Sequence, residues 1–175
     1  MPSQRTFWIA LSCGAFILTV ATGLRATWGL FLKPMNIDLH ISRELFGFGV
    51  ALQNVLWGAL SPVAGAFADK FGSTRVIIVG ALCYSAGLLV MAASNSGTEL
   101  IIGNMLIGLA LSGSSFSAVL GAIGRAVPPE KRSMALGIIT AGGSFGQFAV
   151  VPYAHILIDT LGWSEALVGL SITAA

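Results

Sequence analysis

Two stretches of this chain, residues 100–124 and 133–158, contain no Asp, Glu, Lys or Arg. A helix crossing the roughly 30 Å hydrocarbon core of a bilayer needs about 20 mostly apolar residues, and both stretches exceed that. Neither could be solvated on an outer face in a small water-soluble fold. Composition agrees: 55% of the 175 residues are hydrophobic and 9% are charged, against about 25% charged in a soluble domain. This balance excludes a soluble enzyme, a secreted disulfide domain and a disordered chain. It leaves an integral membrane protein, with the lipid bilayer as its first partner.

Gaps between charges place three further spans, so the expected helices run over 7–32, 45–67, 76–93, 100–124 and 133–158. A sixth apolar segment starts at Ala166 and reaches only Ala175, too short to cross. The connections hold most of the charges and carry turn chemistry at Lys33-Pro34, Phe71-Gly72-Ser73, Asn95-Ser96-Gly97 and Val127-Pro128-Pro129. The N-terminal run of 7–24 is longer than a cleaved signal core, which favours a retained first helix. With the N-terminus in the cytoplasm, Arg5, Lys70, Arg75, Arg125, Lys131 and Arg132 lie inside, and only Lys33 and Arg43 lie outside. Short loops rich in Lys and Arg stay cytoplasmic. The expectation is a multi-pass protein of the plasma (inner) membrane with a cytoplasmic N-terminus.

Chemistry-bearing clusters are scarce. Cys13 and Cys83 lie within apolar runs without metal-ligand spacing, and His40 and His155 are the only histidines. No carboxylate falls inside a span, so neither a metal, a cofactor nor an enzymatic site is expected. A net charge of +2 with no basic stripe excludes nucleic acid as a partner.

Polar side chains in lipid turn toward protein or water. At helical spacing, Thr22, Arg25, Trp28 and Gly29 share a face of the first span, and Gln53, Asn54, Trp57 and Ser61 share one on the second. Asn104, Gly108, Ser112 and Ser115 line up on the fourth; Thr140, Ser144 and Gln147 on the fifth. The third span is poorer in polar groups and is expected at the periphery. Single hydroxyls here serve as helix–helix contacts. The bulkier Gln53, Asn54 and Gln147 point to a cavity, so the candidate solute-binding set is Arg25, Thr22, Trp28, Gln53, Asn54, Trp57 and Gln147.

Between the second and third spans the chain reads Gly65-Ala66-Phe67-Ala68-Asp69-Lys70-Phe71-Gly72-Ser73-Thr74-Arg75-Val76. This resembles the cytoplasmic signature of the major facilitator superfamily. Gly65, Asp69, Lys70, Gly72 and Arg75 match it; Ser73 and Thr74 stand where the family often has basic residues. Gly65 would admit a close backbone, and Gly72 a turn with positive φ. The resemblance implies a gating role for these residues, with Asp69 facing a helix N-terminus of the opposite half and latching the cytoplasmic side. The segment 23–34 and the run Gly142-Gly143-xx-Gly146, Pro152, Gly162-Trp163 look like oxalate/formate-antiporter and monocarboxylate-type members. Asn104 occupies a place where the family often has a proton-linked Arg, and the fifth span lacks the Gly-Pro pair of drug antiporters. Facilitated or exchange transport therefore fits better than proton-driven drug efflux.

The resemblance implies an all-α integral membrane bundle of five transmembrane helices plus the start of a sixth, the N-terminal half of a twelve-helix transporter. Solute would bind between the two halves near the midplane. The expected function is secondary transport of a small solute, an organic anion, by alternating access in a full-length parent, with the missing C-terminal half as partner. A structural or regulatory subunit, or a truncated remnant, is the alternative. Arg25 is the one charge inside a span. Three accounts remain open for it: pairing with a carboxylate substrate, snorkelling to the outer interface, and pairing with the missing half.

Overall fold

The computed structural model describes residues 4–114, 127 and 129–175. These residues form seven helices and no strand: α1 (Gln4–Ala26), α2 (Trp28–Asp38), α3 (Arg43–Phe71), α4 (Ser73–Ala92), α5 (Gly97–Ser114), α6 (Pro129–Leu161) and α7 (Trp163–Ala174). Apolar sequence long enough to span a bilayer is found in α3, α4, α6 and the bent pair α1–α2. The second half of the fourth predicted span, with Ser115, lies outside the described residues, as do Arg125 and Pro128.

The first span does not run unbroken from 7 to 32. It bends by 40° between α1 and α2, at Thr27. The Thr27 N–H and hydroxyl both donate to the Leu24 carbonyl, at 3.2 and 2.7 Å. This i−3 bonding tightens the turn and ends α1. The predicted turn at Lys33-Pro34 is absent, because α2 continues through Pro34 to Asp38. A proline inside a helix removes one backbone donor. Here Phe31 and Met35, both fully buried, hold the helix on either side of it.

The connection expected over 68–75 contracts to one residue. Helix α3 runs to Phe71, Gly72 takes φ 92°, and α4 begins at Ser73. Only glycine adopts such a backbone without a steric cost. At its other end, α3 is capped by Ser42, whose Oγ accepts from the Leu45 N–H at 3.1 Å, with Glu44 in the first turn. Both devices stabilise a helix start. The terminal segment forms a helix from Trp163, three residues earlier than predicted.

Helix α1 packs along α6, and α5 packs between α3 and α4; α7 bridges α4 and α6. The α1–α6 crossing is very close. A Cβ placed on Gly146 would stand 2.0 Å from the Thr19 carbonyl oxygen. Thr19 and Thr22 donate their hydroxyls across the same crossing to the Gly142 and Gly143 carbonyls, each at 2.8 Å. Small residues that let backbones meet, reinforced by hydroxyl bonds, are the packing mode of helices in lipid.

The third span, expected at the periphery, is more enclosed than α3 or α6. Its residues Tyr84, Ser85, Gly87, Leu88 and Met91 are buried. Its lack of polar groups reflects packing against α5 and α7, with Ser85 donating to the Ser171 carbonyl at 2.6 Å. The outer surface, by contrast, is apolar: Phe16, Val55 and Phe148 are 67%, 64% and 77% exposed. Such a surface belongs in hydrocarbon or against other transmembrane helices.

Candidate functional site

Arg25 projects from the last turn of α1, and α3 positions it. Its Nη2 donates to Asn54 Oδ1 at 3.0 Å, and the guanidinium lies 4.5 Å from the ring centroid of Trp57. Asn54 is itself fixed, its Nδ2 donating to the Val50 carbonyl at 2.8 Å. The positions 54 and 57 fall on one helix face, three apart, so a single turn of α3 supplies both the hydrogen bond and the cation–π contact. The Arg25 side chain remains exposed and has no carboxylate partner among the described residues.

Beside it opens a cleft of about 290 Å³, lined by Thr22, Arg25, Trp28, Gln53, Asn54 and Gln147, with Ala26 and Val50. Six of the seven candidate binding residues thus border one cavity, and the seventh, Trp57, backs Arg25. Their contributions differ. Gln147 is exposed on α6. The Thr22 hydroxyl is occupied by the Gly143 carbonyl and its own helix. Gln53 is fully buried, and neither of its amide atoms meets a hydrogen-bond partner among the described residues; the Nε1 of buried Trp28 is in the same position. Buried polar atoms left unpaired cost about 1–3 kcal/mol each.

Other polar-stripe residues do not join the cleft. Asn104 is fully buried at the α3–α5 contact, donating to the Leu100 carbonyl at 2.9 Å. Ser61, Ser112 and Thr140 donate to carbonyls of their own helices. Sequence reasoning missed Ala26 and Val50, which are apolar and carry no signal at that stage.

The loop signature sits at the far end of α3. From Asn54 to Asp69 is fifteen residues, about 22 Å along the axis. Asp69 and Lys70 are exposed in the last turns of α3, and Arg75 is exposed in the first turn of α4. Phe67 and Phe71 stack with centroids 5.7 Å apart, and Lys70 Nζ lies 5.3 Å from the Phe71 ring. The space beside Gly65 is open, so none of the described residues uses the close approach expected there. Among the described residues no three His, Cys, Asp or Glu side chains gather as metal ligands.

The sequence model of the Major Facilitator Superfamily matches residues 11–175. This chain belongs to the major facilitator superfamily. It is similar to mouse monocarboxylate transporter 11, at 28% identity over 91% of this chain and 36% of that protein. It is also similar to the putative niacin/nicotinamide transporter NiaP of Bacillus subtilis, at 25% identity over 82% of this chain and 36% of that protein. The oxalate:formate antiporter of Oxalobacter formigenes is 24% identical over 91% of this chain and 38% of its own length. The superfamily chain thus spans little more than a third of the length of these curated relatives. Its all-helical bundle with several long apolar helices fits one membrane half of such a protein.

Proposed function

We propose that this superfamily chain forms the N-terminal bundle of a secondary transporter that carries a small organic anion across the membrane by alternating access, without converting it chemically. The observation that carries this reading is Arg25: a cation inside a span, steadied by Asn54 and Trp57, facing a cleft, with no carboxylate partner among the described residues. A charge placed there costs about 2.5–3.5 kcal/mol on insertion scales, and a carboxylate solute would offset it through two parallel hydrogen bonds. Thr22, Trp28, Gln53 and Gln147 form the rest of the wall. The relatives named for monocarboxylates and for oxalate and formate support an anionic solute. The C-terminal half would close the other side of the cleft. Gly65, Asp69, Lys70, Gly72 and Arg75 would form the cytoplasmic gate, in an inner-membrane protein with its N-terminus in the cytoplasm.

The test is Arg25→Lys in the full-length transporter, which keeps the charge and removes the two-pronged fork. One charged hydrogen bond is worth about 1.5–3 kcal/mol, so the half-saturation concentration for a carboxylate should rise about tenfold or more, with surface expression unchanged. A wild-type half-saturation concentration would remove Arg25 from the binding site.

A further inference from the structure

At the signature end of the bundle, away from the Arg25 cleft, two apolar clefts flank one aromatic ridge. The ridge is Val63, Phe67 and Phe71 on α3, which borders both clefts. One lies between α3 and α4 with α5 as its floor, has a volume of about 420 Å³, and runs past Val76 and Val79 to Cys83. The other, about 480 Å³, runs past Pro62 and Ala66. Each ends at a cation on the same edge, Arg75 for the first and Lys70 for the second.

Their length matches one leaflet. Arg75 to Cys83 and Lys70 to Pro62 are each eight residues of helix, about 12 Å. Half of a hydrocarbon core is about 15 Å. Charge sits only at the rim, where headgroup phosphates lie. Arg75 is exposed and has no ionic partner among the described residues. Lys70 is exposed, with its Nζ over the Phe71 ring.

We infer that this end of the bundle holds one anionic phospholipid, its two acyl chains straddling the Phe67–Phe71 ridge and its phosphate held between Lys70 and Arg75. A neutral lipid lacks the ionic anchor and would occupy the grooves less, so the site discriminates by headgroup charge. Two apolar clefts that share one aromatic ridge and each reach a cation distinguish this place from ordinary lipid-facing surface. The site stands independently of what solute the Arg25 cleft takes.

Cys83, half-buried at the deep end of the groove between α3 and α4 and a free thiol, reports on occupancy. The full-length protein carrying Cys13→Ser, and any other cysteine replaced, is placed in nanodiscs of phosphatidylcholine alone or with about a fifth of phosphatidylglycerol. The rate of Cys83 modification by an apolar maleimide is then measured. Phosphatidylglycerol should slow it about thirtyfold, the ratio that two basic contacts of about 1 kcal/mol each give. Arg75→Gln, which leaves Lys70, should cut the slowing to about fivefold, and Arg75→Lys should keep it in full. Val79→Trp, at an exposed groove wall, should slow modification equally in both lipids by filling the groove. Equal rates for the parent in both lipids would overturn the site, as would a phosphatidylglycerol effect undiminished by Arg75→Gln. Inorganic phosphate in phosphatidylcholine discs should leave the rate unchanged; slowing equal to that by phosphatidylglycerol would mean a bare anion site and refute the lipid. If the Gln variant does not fold, native mass spectrometry of the parent decides. Retention of phosphatidylglycerol over phosphatidylcholine supports the site, and equal retention refutes it.

Discussion

Replacing Gly146 with Ala should separate α1 from α6. The added Cβ would stand 2.0 Å from the Thr19 carbonyl oxygen, 2.6 Å from its carbon and 2.7 Å from its Cα. All three are backbone atoms, so no rotamer change relieves the clash. Reaching ordinary contact at 3.4 Å requires the helices to part by roughly 1.4 Å, the difference between 3.4 and 2.0. The Thr19–Gly142 and Thr22–Gly143 bonds, both 2.8 Å, would then stretch beyond hydrogen-bond range. Interhelical bonds in membranes average about 0.6 kcal/mol and reach about 1.7. With the lost backbone packing, a total of about 2–3 kcal/mol follows, inside the range of severe single substitutions. The assay is unfolding in mixed micelles titrated with a denaturing detergent. The control is Gly137→Ala on the same helix, where nothing lies within 4 Å and alanine favours the helix by up to about 1 kcal/mol. If Gly146→Ala unfolds at the same midpoint as Gly137→Ala, the close crossing is not what holds this pair.

Three further outcomes follow from the same geometry. Asp69→Asn in the full-length transporter should slow turnover several-fold without loss of expression, since a latch contact to a helix end is worth about 0.3–1 kcal/mol; unchanged turnover and unchanged cytoplasmic cysteine accessibility would count against a latch. Single cysteines at Ser73 and Ser96, in a background without Cys13 and Cys83, flank the twenty-residue helix α4, and should label from opposite sides of the membrane, Ser73 from the cytoplasm. Labelling of both by an impermeant reagent added outside intact cells would reverse this topology. Gln53→Leu should stabilise the bundle by about 1 kcal/mol, because it removes buried amide atoms that have no partner, while raising the half-saturation concentration of a polar solute; a loss of stability would show that the amide is satisfied in the folded protein.

The all-α membrane class was legible because long charge-free runs have few folded alternatives. Boundaries were less legible, for reasons that can be named. Reading Lys33-Pro34 as a turn gave weight to the proline's missing donor and none to Phe31 and Met35, whose burial keeps α2 helical through it. Thr27 gave no such warning, since its effect depends on a hydroxyl folding back onto Leu24. Charges at Asp69 and Lys70 looked like a loop, yet a helix can project its charged last turns beyond the hydrocarbon, and α3 does so until Gly72 supplies the one backbone conformation that ends it.

The candidate site divides along a simple chemical line. A Ser or Thr hydroxyl in a helix can donate to the carbonyl three or four residues back, as Ser61, Ser112 and Thr140 do, so a stripe of hydroxyls need not face anything polar. Side chains with several polar atoms cannot be satisfied that way. Asn54 donates to its own helix through Nδ2 and still has Oδ1 to hold Arg25. Gln53, one residue earlier, is carried to the buried side of the same cleft, where its helix offers it nothing. Adjacent residues on α3 therefore take different tasks: Asn54 orients the cation, and Gln53 holds a buried amide at the cleft wall. On the organic-anion proposal, substituting Asn54 should accordingly change how selectively the cleft prefers a carboxylate, whereas substituting Gln53 should change which second polar group that carboxylate is allowed to carry.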